Sequence, residues 1–323
     1  MLEKKIINRK LLNHNSSVIR NSFSYYFCID GGGTKSSAVL YDYKGKILSR
    51  SKADSGNIFN DVTIVEKNIV KLWNDCCKKA KLNKNNINTK TIASFGLAGA
   101  RYKEGRKYLE KNIDFFGNLI LSTDGYIALA ATSMIKSVGI LNIGTGVVAH
   151  MMLNSNYSQQ ISGWGYPFGD KGGGWWIGLR MIQETLMAID GYNNKNDIIV
   201  KKTLNIIGKK DLKILNWISN LKPVYVAKLS KIFFSNKKKS YIFDKILQQG
   251  LCEIESILEY MIEEKKIKKI FILGGLSLFY KPYIKKKYSK YLNYNTIEPS
   301  RGGYNIAKKK FPLEKIINDK RKY

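Results

Sequence analysis

Apolar runs that stop abruptly at glycine or an acid mark the front of the chain. Residues 25–30 (YYFCID) pass straight into Gly31-Gly32-Gly33-Thr34-Lys35, a second run SSAVLYD (36–42) follows, and Tyr43-Lys44-Gly45-Lys46 turns the chain into ILSRSKA (47–53). Short apolar runs joined by Gly and Lys turns predict a meander of three strands. The period then changes. Over 61–82, Val62, Val65, Ile69, Leu72 and Trp73 recur at spacings of three and four, which predicts a helix with one buried face. TIASFGLAGA (91–100) reads as a strand ending in small residues, 101–112 as a charged helix, and NLILSTD (118–124) as a strand that stops at an acid.

A second round begins at once. A helix over 125–136 precedes the strands VGILNIG (138–144) and AHMMLN (149–154), with helices over 175–190 and 240–263 and a late strand, KIFILGG (269–275), again ending in paired glycines. Two copies of a strand-rich α/β unit with glycines at strand ends predict two similar domains facing each other across a cleft. The boundaries expected are a leader over 1–24, a first domain over 25–123 that a C-terminal helix within 300–323 completes, and a second domain over 124–299.

At 323 residues with 44% hydrophobic side chains the chain can bury a real core. The formal net charge is +30, which raises nucleic-acid binding as a function, but 47 of the 55 cations are Lys and only eight are Arg. Asn, Ile and Tyr are abundant throughout, so A/T-rich codon bias accounts for the charge more simply than a dedicated basic patch. The Lys runs 237–239, 285–287 and 308–310 have tyrosines nearby, a pattern that can line a nucleic-acid strand. No binding-module signature accompanies them, and a solvated face is the reading kept. Cys28, Cys76, Cys77 and Cys252 form no C-x-x-C pair, and only His14 and His150 could join them at a metal, so neither zinc nor disulfides are expected. No window has the roughly 18 uninterrupted apolar residues of a membrane span, and a cytoplasmic protein is expected.

The sharpest chemical feature is Asp30-Gly31-Gly32-Gly33-Thr34-Lys35. Three glycines remove the Cβ atoms that would hold a phosphate away from the backbone amides, Thr34 adds a hydroxyl, and Asp30 can hold Mg²⁺ through water. Two other nucleotide motifs do not fit: a Walker A loop needs Gly directly before its Lys, and a dinucleotide fingerprint opens a helix where a strand follows here. Asn142-Ile143-Gly144-Thr145-Gly146 repeats the theme, giving a second amide-lined turn for phosphates, while Gly274-Gly275 would let an adenine ring approach the backbone. Asp124 is either the cap of the following helix or a general base toward a substrate hydroxyl attacking a γ-phosphate. Ser162-Gly163-Trp164-Gly165, Phe168-Gly169-Asp170 and Gly172-Gly173-Gly174-Trp175-Trp176 combine aromatics, glycines and one acid. That mix suits a sugar ring, or equally a glycine-rich loop with core tryptophans.

In order along residues 26–311 stand DGGGTK, SGN (55–57), GLAGA (96–100), TDG (123–125), GTG (144–146), GWG…GD…G (163–172) and GG (274–275). This ordered set resembles the N-acetylglucosamine kinase family, which is BadF/BadG/BcrA/BcrD ATPase-like, and in particular its bacterial glucosamine kinase branch. The resemblance implies an α/β protein of two ribonuclease-H-like domains, the actin-like, sugar kinase and Hsp70 ATPase fold, closing around ATP and sugar in an interdomain cleft. It implies that Gly31, Gly32, Gly33, Thr34 and Lys35 with Gly144, Thr145 and Gly146 hold phosphates, and that Gly274 and Gly275 border the adenosine. It further implies that Asn57, Asp124, Gly163, Trp164 and Asp170 contact an amino sugar, that Asp124 is the base and that Asp30 serves the metal.

The activity expected is ATP- and Mg²⁺-dependent phosphorylation of glucosamine or N-acetylglucosamine at the 6-hydroxyl, in a homodimer. Val147-Val148 after GTG, Lys171-Gly172-Gly173 after GD and the stretch SRGGYNIAKKK (300–310) depart from the family pattern and bear on sugar choice. Two other classes share features with the chain. An ATPase serving an acyl-CoA dehydratase or reductase carries DGGGT-like loops but needs cysteines for an iron–sulfur cluster, and a sugar-sensing regulator needs a helix-turn-helix ahead of residue 25.

Overall fold

A computed structural model describes residues 23–154, 157–236 and 239–316. The expected leader therefore lies outside the described residues except for Phe23 and Ser24, as do Lys237, Lys238 and the end of the expected 300–323 segment. Among the described residues no helix is long and apolar enough to cross a membrane. The described residues form two compact units: those up to Ser133 with those from Glu298 onward, and those within Met134–Ile297.

The first unit is built on β1 (Tyr25–Gly31), β2 (Ser36–Asp42), β3 (Ile47–Ala53), β4 (Thr91–Leu97) and β5 (Asn118–Thr123), in the order β3-β2-β1-β4-β5. The meander β1-β2-β3 is antiparallel, whereas β4 and β5 run parallel to β1. β1 is central and apolar on both sides, as a strand covered on both faces must be. Phe27 and Ile29 face α1 (Val62–Ala80) with Trp73 and Phe95, while the alternate Tyr26 and Cys28 face α9 (Pro299–Ala307) with Tyr41 and Tyr304. α1 follows its predicted stripe: Val65, Ile69, Leu72 and Trp73 are buried, and Asp61 caps it by accepting from the N–H groups of Thr63 and Ile64. α2 (Lys103–Asn112) and α3 (Asp124–Ala131) complete this unit.

The second unit repeats the plan with β6 (Val138–Ile143), β7 (Val147–Asn154), β8 (Tyr157–Ser162), β9 (Lys269–Leu273) and β10 (Leu292–Asn293). β6-β7-β8 is an antiparallel meander, and β9 and β10 add in parallel on the other side, giving β10-β9-β6-β7-β8. Its helices are α4 (Gly174–Ile189), α5 (Ile198–Ile207), α6 (Asp211–Ser219), α7 (Pro223–Phe234) and α8 (Tyr241–Glu259). One large cluster, including Ile143, Val147, Trp175, Ile254 and Ile272, forms its core.

The boundary expected at 123/124 is corrected to Ser133. α3 is apolar on every side, with residues 125–130 all buried, so it must be covered all round. It packs in the first unit against β4 and α9. The predicted 125–136 helix also stops early, at Ala131, and Ser133 takes a left-handed φ of 58°. SRGGYNIAKKK supplies α9 through Ala307 and then a turn. Its two glycines make the packing possible: a methyl on Gly302 would lie 1.7 Å from the Ile127 carbonyl oxygen. β8 and helices α5 to α7 were not foreseen. YSQQIS has one buried residue and so carries no strand pattern, whereas Ile198–Ile207 buries Ile199, Val200, Thr203 and Ile207 at a helical spacing that the sequence does show.

Candidate active site

In the first unit β1, β4 and β5 are parallel and in register, with Gly31 opposite Leu97 and Leu97 opposite Thr123. Their carboxyl ends therefore share one edge, where open α/β sheets bind ligands. The DGGGTK turn, the turn after GLAGA and Asp124 follow these strands side by side, so Asp30 and Asp124 sit about two strand spacings, roughly 10 Å, apart along that edge.

The glycine turn closes on itself through the Gly32 N–H to the Lys35 carbonyl, 3.0 Å. Among the described residues the N–H groups of Gly33 and Thr34 have no main-chain acceptor, and nothing lies within 4 Å of where a Gly33 methyl would be. An open turn with unmatched amides is a cradle for phosphate oxygens. Gly31 has a different role. A methyl there would meet Leu97 at 2.6 Å and the Cα of Gly56 at 3.2 Å, and the Gly56 N–H donates to the Gly32 carbonyl, so bare glycines lock the SGN loop onto the phosphate turn.

That lock positions Asn57. Its Oδ1 accepts from the Phe59 N–H at 3.0 Å, and the Ile58 N–H donates to the Ala98 carbonyl. Gly99, at φ 71°, leaves room for the carboxamide, since a methyl there would be 2.5 Å from Oδ1. The Asn57 Nδ2 hydrogens are left to donate.

Asp124 is not the cap of the helix that follows it. Thr123 is the N-cap of α3, its Oγ1 accepting from the Tyr126 N–H at 3.2 Å, while Asp124 is the first helical residue and accepts only from its neighbour Gly125. Thr123 is itself held by a residue the sequence reading missed. Glu314 accepts from the Thr123 N–H at 2.7 Å and from its hydroxyl at 2.9 Å, 191 residues away in sequence. Only the folded chain brings these together. Asp30 is pushed up to about 7, by burial first and then by the Asp124 carboxylate, with Lys35 opposing. A hard carboxylate beside a phosphate cradle, held at an energetic cost, fits a water-coordinated Mg²⁺ that would restore its charge.

The second unit has a carboxyl edge of its own. β6 and β9 are parallel, with Asn142 opposite Leu273, so the GTG turn and Gly274-Gly275 lie side by side. Gly274, at φ 93°, packs so tightly that a methyl would be 2.3 Å from the Ile143 carbonyl oxygen, whereas Gly275 faces open space. GTG is drawn to the start of α4 by the Gly174 and Trp175 N–H groups, which donate to the carbonyls of Gly144 and Thr145.

Asp170, in a left-handed conformation at φ 63°, lies directly behind this turn; a methyl on Gly146 would be 2.2 Å from its Oδ2. Burial raises its carboxyl, and the Val147 and Gly165 N–H groups draw it back down. The loop around it exposes Trp164 (63%) and Phe168 (91%), the solvent-facing aromatics a sugar-binding loop needs. Gly163, at φ 71°, holds its end of the loop by donating to the Val147 carbonyl.

Two of the departures take structural roles. The Val147 side chain is fully buried in the core and so is not presented at a sugar site, and Lys171 turns outward to an exposed ion pair with Glu253 at 2.9 Å. The structure thus gathers Asp30, Gly31 to Lys35, Asn57 and Asp124 on the edge of the first unit, and Gly144 to Gly146, Gly163, Trp164, Asp170, Gly274 and Gly275 on the second.

Known proteins resemble the chain over most of its length. It is 25% identical over 258 residues to a glucosamine kinase of Vibrio cholerae, covering 79% of this chain and 85% of that protein. It is 26% identical over 285 residues to an N-acetylmuramic acid/N-acetylglucosamine kinase of Clostridium acetobutylicum, covering 84% and 91%. Among solved structures, a protein of Chromobacterium violaceum assigned as an N-acetylglucosamine kinase superposes with a TM-score of 0.81 at 21% identity over 88% of this chain and 99% of that one, which establishes the shared fold. The model of the BadF/BadG/BcrA/BcrD ATPase family matches residues 28–303, and the chain belongs to that family.

Proposed function

We propose that this protein is an ATP-dependent amino-sugar kinase that transfers the γ-phosphoryl group to the 6-hydroxyl of glucosamine or an N-acylated relative, in the cytoplasm and as a homodimer. The observation that carries the reading is the carboxyl edge of the first sheet, where a phosphate cradle and a carboxylate freed from capping follow the parallel strands β1 and β5 on either side of β4. The kinase relatives support the same chemistry.

In this reading Asp124 accepts the proton of the sugar hydroxyl as that oxygen attacks phosphorus, a role that needs a carboxylate with lone pairs free on a fixed backbone. Thr123, clamped by Glu314, fixes that backbone. Asn57 orients the sugar through its amide hydrogens, and Trp164 and Asp170 are further sugar contacts. The N–H groups of Gly33 and Thr34 bind phosphate oxygens, Lys35 adds a positive charge, Gly144 to Gly146 supply the second phosphate turn, and Gly274 and Gly275 border the adenosine. Asp30 and the phosphates would hold Mg²⁺ through its waters; bound there, the ion neutralises phosphate charge.

The test is ADP release from Mg-ATP in the presence of glucosamine, N-acetylglucosamine, N-acetylmuramic acid, glucose or no sugar. Release that depends on an amino sugar, with NMR placing the new phosphate on the 6-hydroxyl, is expected. ATP hydrolysis indifferent to every sugar would contradict the reading and favour an electron-transfer ATPase.

A further inference from the structure

One charged side chain at the first unit's edge has no partner. Arg101 follows the GLAGA turn at the end of β4 and is half-buried; its Nε is shut off from solvent and bonded to nothing. Among the described residues it makes no hydrogen bond or ion pair. A buried N–H left unmatched is costly, and more so on a charged group, while the rest of this half-buried guanidinium stays open to a ligand.

Its setting is defined. The turn is closed by the Ala100 N–H to the Leu97 carbonyl and the Tyr102 N–H to the Gly99 carbonyl, and it is the turn whose Gly99 seats the Asn57 carboxamide. Tyr102, next in the chain, is 41% exposed and meets the 73% exposed ring of Phe59 edge-to-face at 5.9 Å, an aromatic pair of the kind that stacks on pyranose rings. The Asn57 Nδ2 group and the Arg101 guanidinium both bring donors to this corner. With the Asp30 and Asp124 carboxylates at the flanking strand ends, these donors and the Arg101 charge form the part of the edge suited to an acceptor-rich anionic substituent.

We infer that Arg101 is a specificity-determining residue that pairs with a carboxylate carried by the amino sugar, so that an acidic N-acylated hexosamine is preferred over glucosamine. The inference rests on the amino-sugar kinase reading and deepens it. The planar fork of arginine matches a carboxylate through two parallel hydrogen bonds, which lysine cannot reproduce. The transferring phosphoryl group is the other oxyanion within the same chemistry, and kinetics separates the two.

The experiment compares wild type, Arg101→Gln and Arg101→Lys with N-acetylmuramic acid, N-acetylglucosamine and glucosamine as acceptors, with a melting curve for each variant. Arg101→Gln should raise KM for N-acetylmuramic acid about thirtyfold with kcat nearly unchanged, and alter KM for N-acetylglucosamine less than threefold. Arg101→Lys should fall between. Equal losses of kcat on both sugars would assign Arg101 to the phosphoryl group and overturn the inference, as would an unchanged ratio between the two sugars in a well-folded Arg101→Gln. Wild type that phosphorylates N-acetylglucosamine but no better with the acidic sugar than with glucosamine would overturn the inference alone. Wild type that phosphorylates no amino sugar would overturn the kinase reading beneath it.

Discussion

Thr123 and Asp124 divide two jobs that meet at the end of β5. The hydroxyl of Thr123 caps the helix, and the carboxylate beside it is left with lone pairs for chemistry. Asp124→Asn should therefore lower kcat by roughly 10²- to 10⁴-fold while ATP affinity, read by calorimetry, stays within about threefold. Asp30 should behave in the opposite way toward stability. Its carboxyl titrates near 7 in the fold and near 3.8 unfolded, so the folded state holds the proton more tightly. Stability from this group is fully present below about pH 4 and is lost as pH rises through 7, by up to about 4 kcal/mol. Without metal or nucleotide, Asp30→Asn should melt above wild type at pH 8 and level with it near pH 4, yet fail in turnover. An Asp30→Asn protein that melts below wild type at pH 8 would contradict this account. At this scale the sequence made the glycines and acids visible because few residues serve their purpose, but it concealed Arg101, whose lack of a partner exists only in the fold. It likewise concealed that Asp170 backs Gly146 directly.

Elements were legible wherever one side of a strand or helix met a uniform environment. β1, β2, β4 and α1 are such cases, with apolar runs or stripes that match their buried faces. β8 was not, because its polar edge positions blur the period, and α5 was passed over although it buries Ile199, Val200, Thr203 and Ile207 at helical spacing. The pairing of α9 with α3 also escaped the sequence, since it joins segments some 170 residues apart and depends on the absence of a side chain at Gly302. Gly302→Ala should cost about 2–3 kcal/mol, measured by denaturant unfolding, because its methyl would press on the Ile127 carbonyl with backbone on both sides. Glu314 ties a segment beyond α9 to Thr123 in the same way. Glu314→Gln should lower kcat several-fold with sugar KM little changed, since it loosens the cap rather than the sugar contacts; an unchanged kcat would remove it from the positioning role.

Across the whole molecule, the same five-stranded plan occurs twice, each copy carrying glycine turns on the carboxyl edge of its parallel strands. That duplication was readable from the order of motifs, though the boundary was not, because an all-buried helix can belong to either neighbour until its packing is known. The net charge of +30 favours nonspecific attraction to nucleic acid. Binding to duplex DNA should fall by an order of magnitude or more between 50 and 200 mM salt, whereas the KM for sugar should change less than about threefold. The central claim is that this edge transfers a phosphoryl group to an amino sugar with Asp124 as base. Mass-spectrometric detection of the sugar phosphate, with wild type and Asp124→Asn side by side on Mg-ATP and N-acetylglucosamine, tests it most directly. The account predicts a product from wild type that is reduced at least a hundredfold in the variant; equal product from both, or none from a wild type that still hydrolyses ATP, would contradict it.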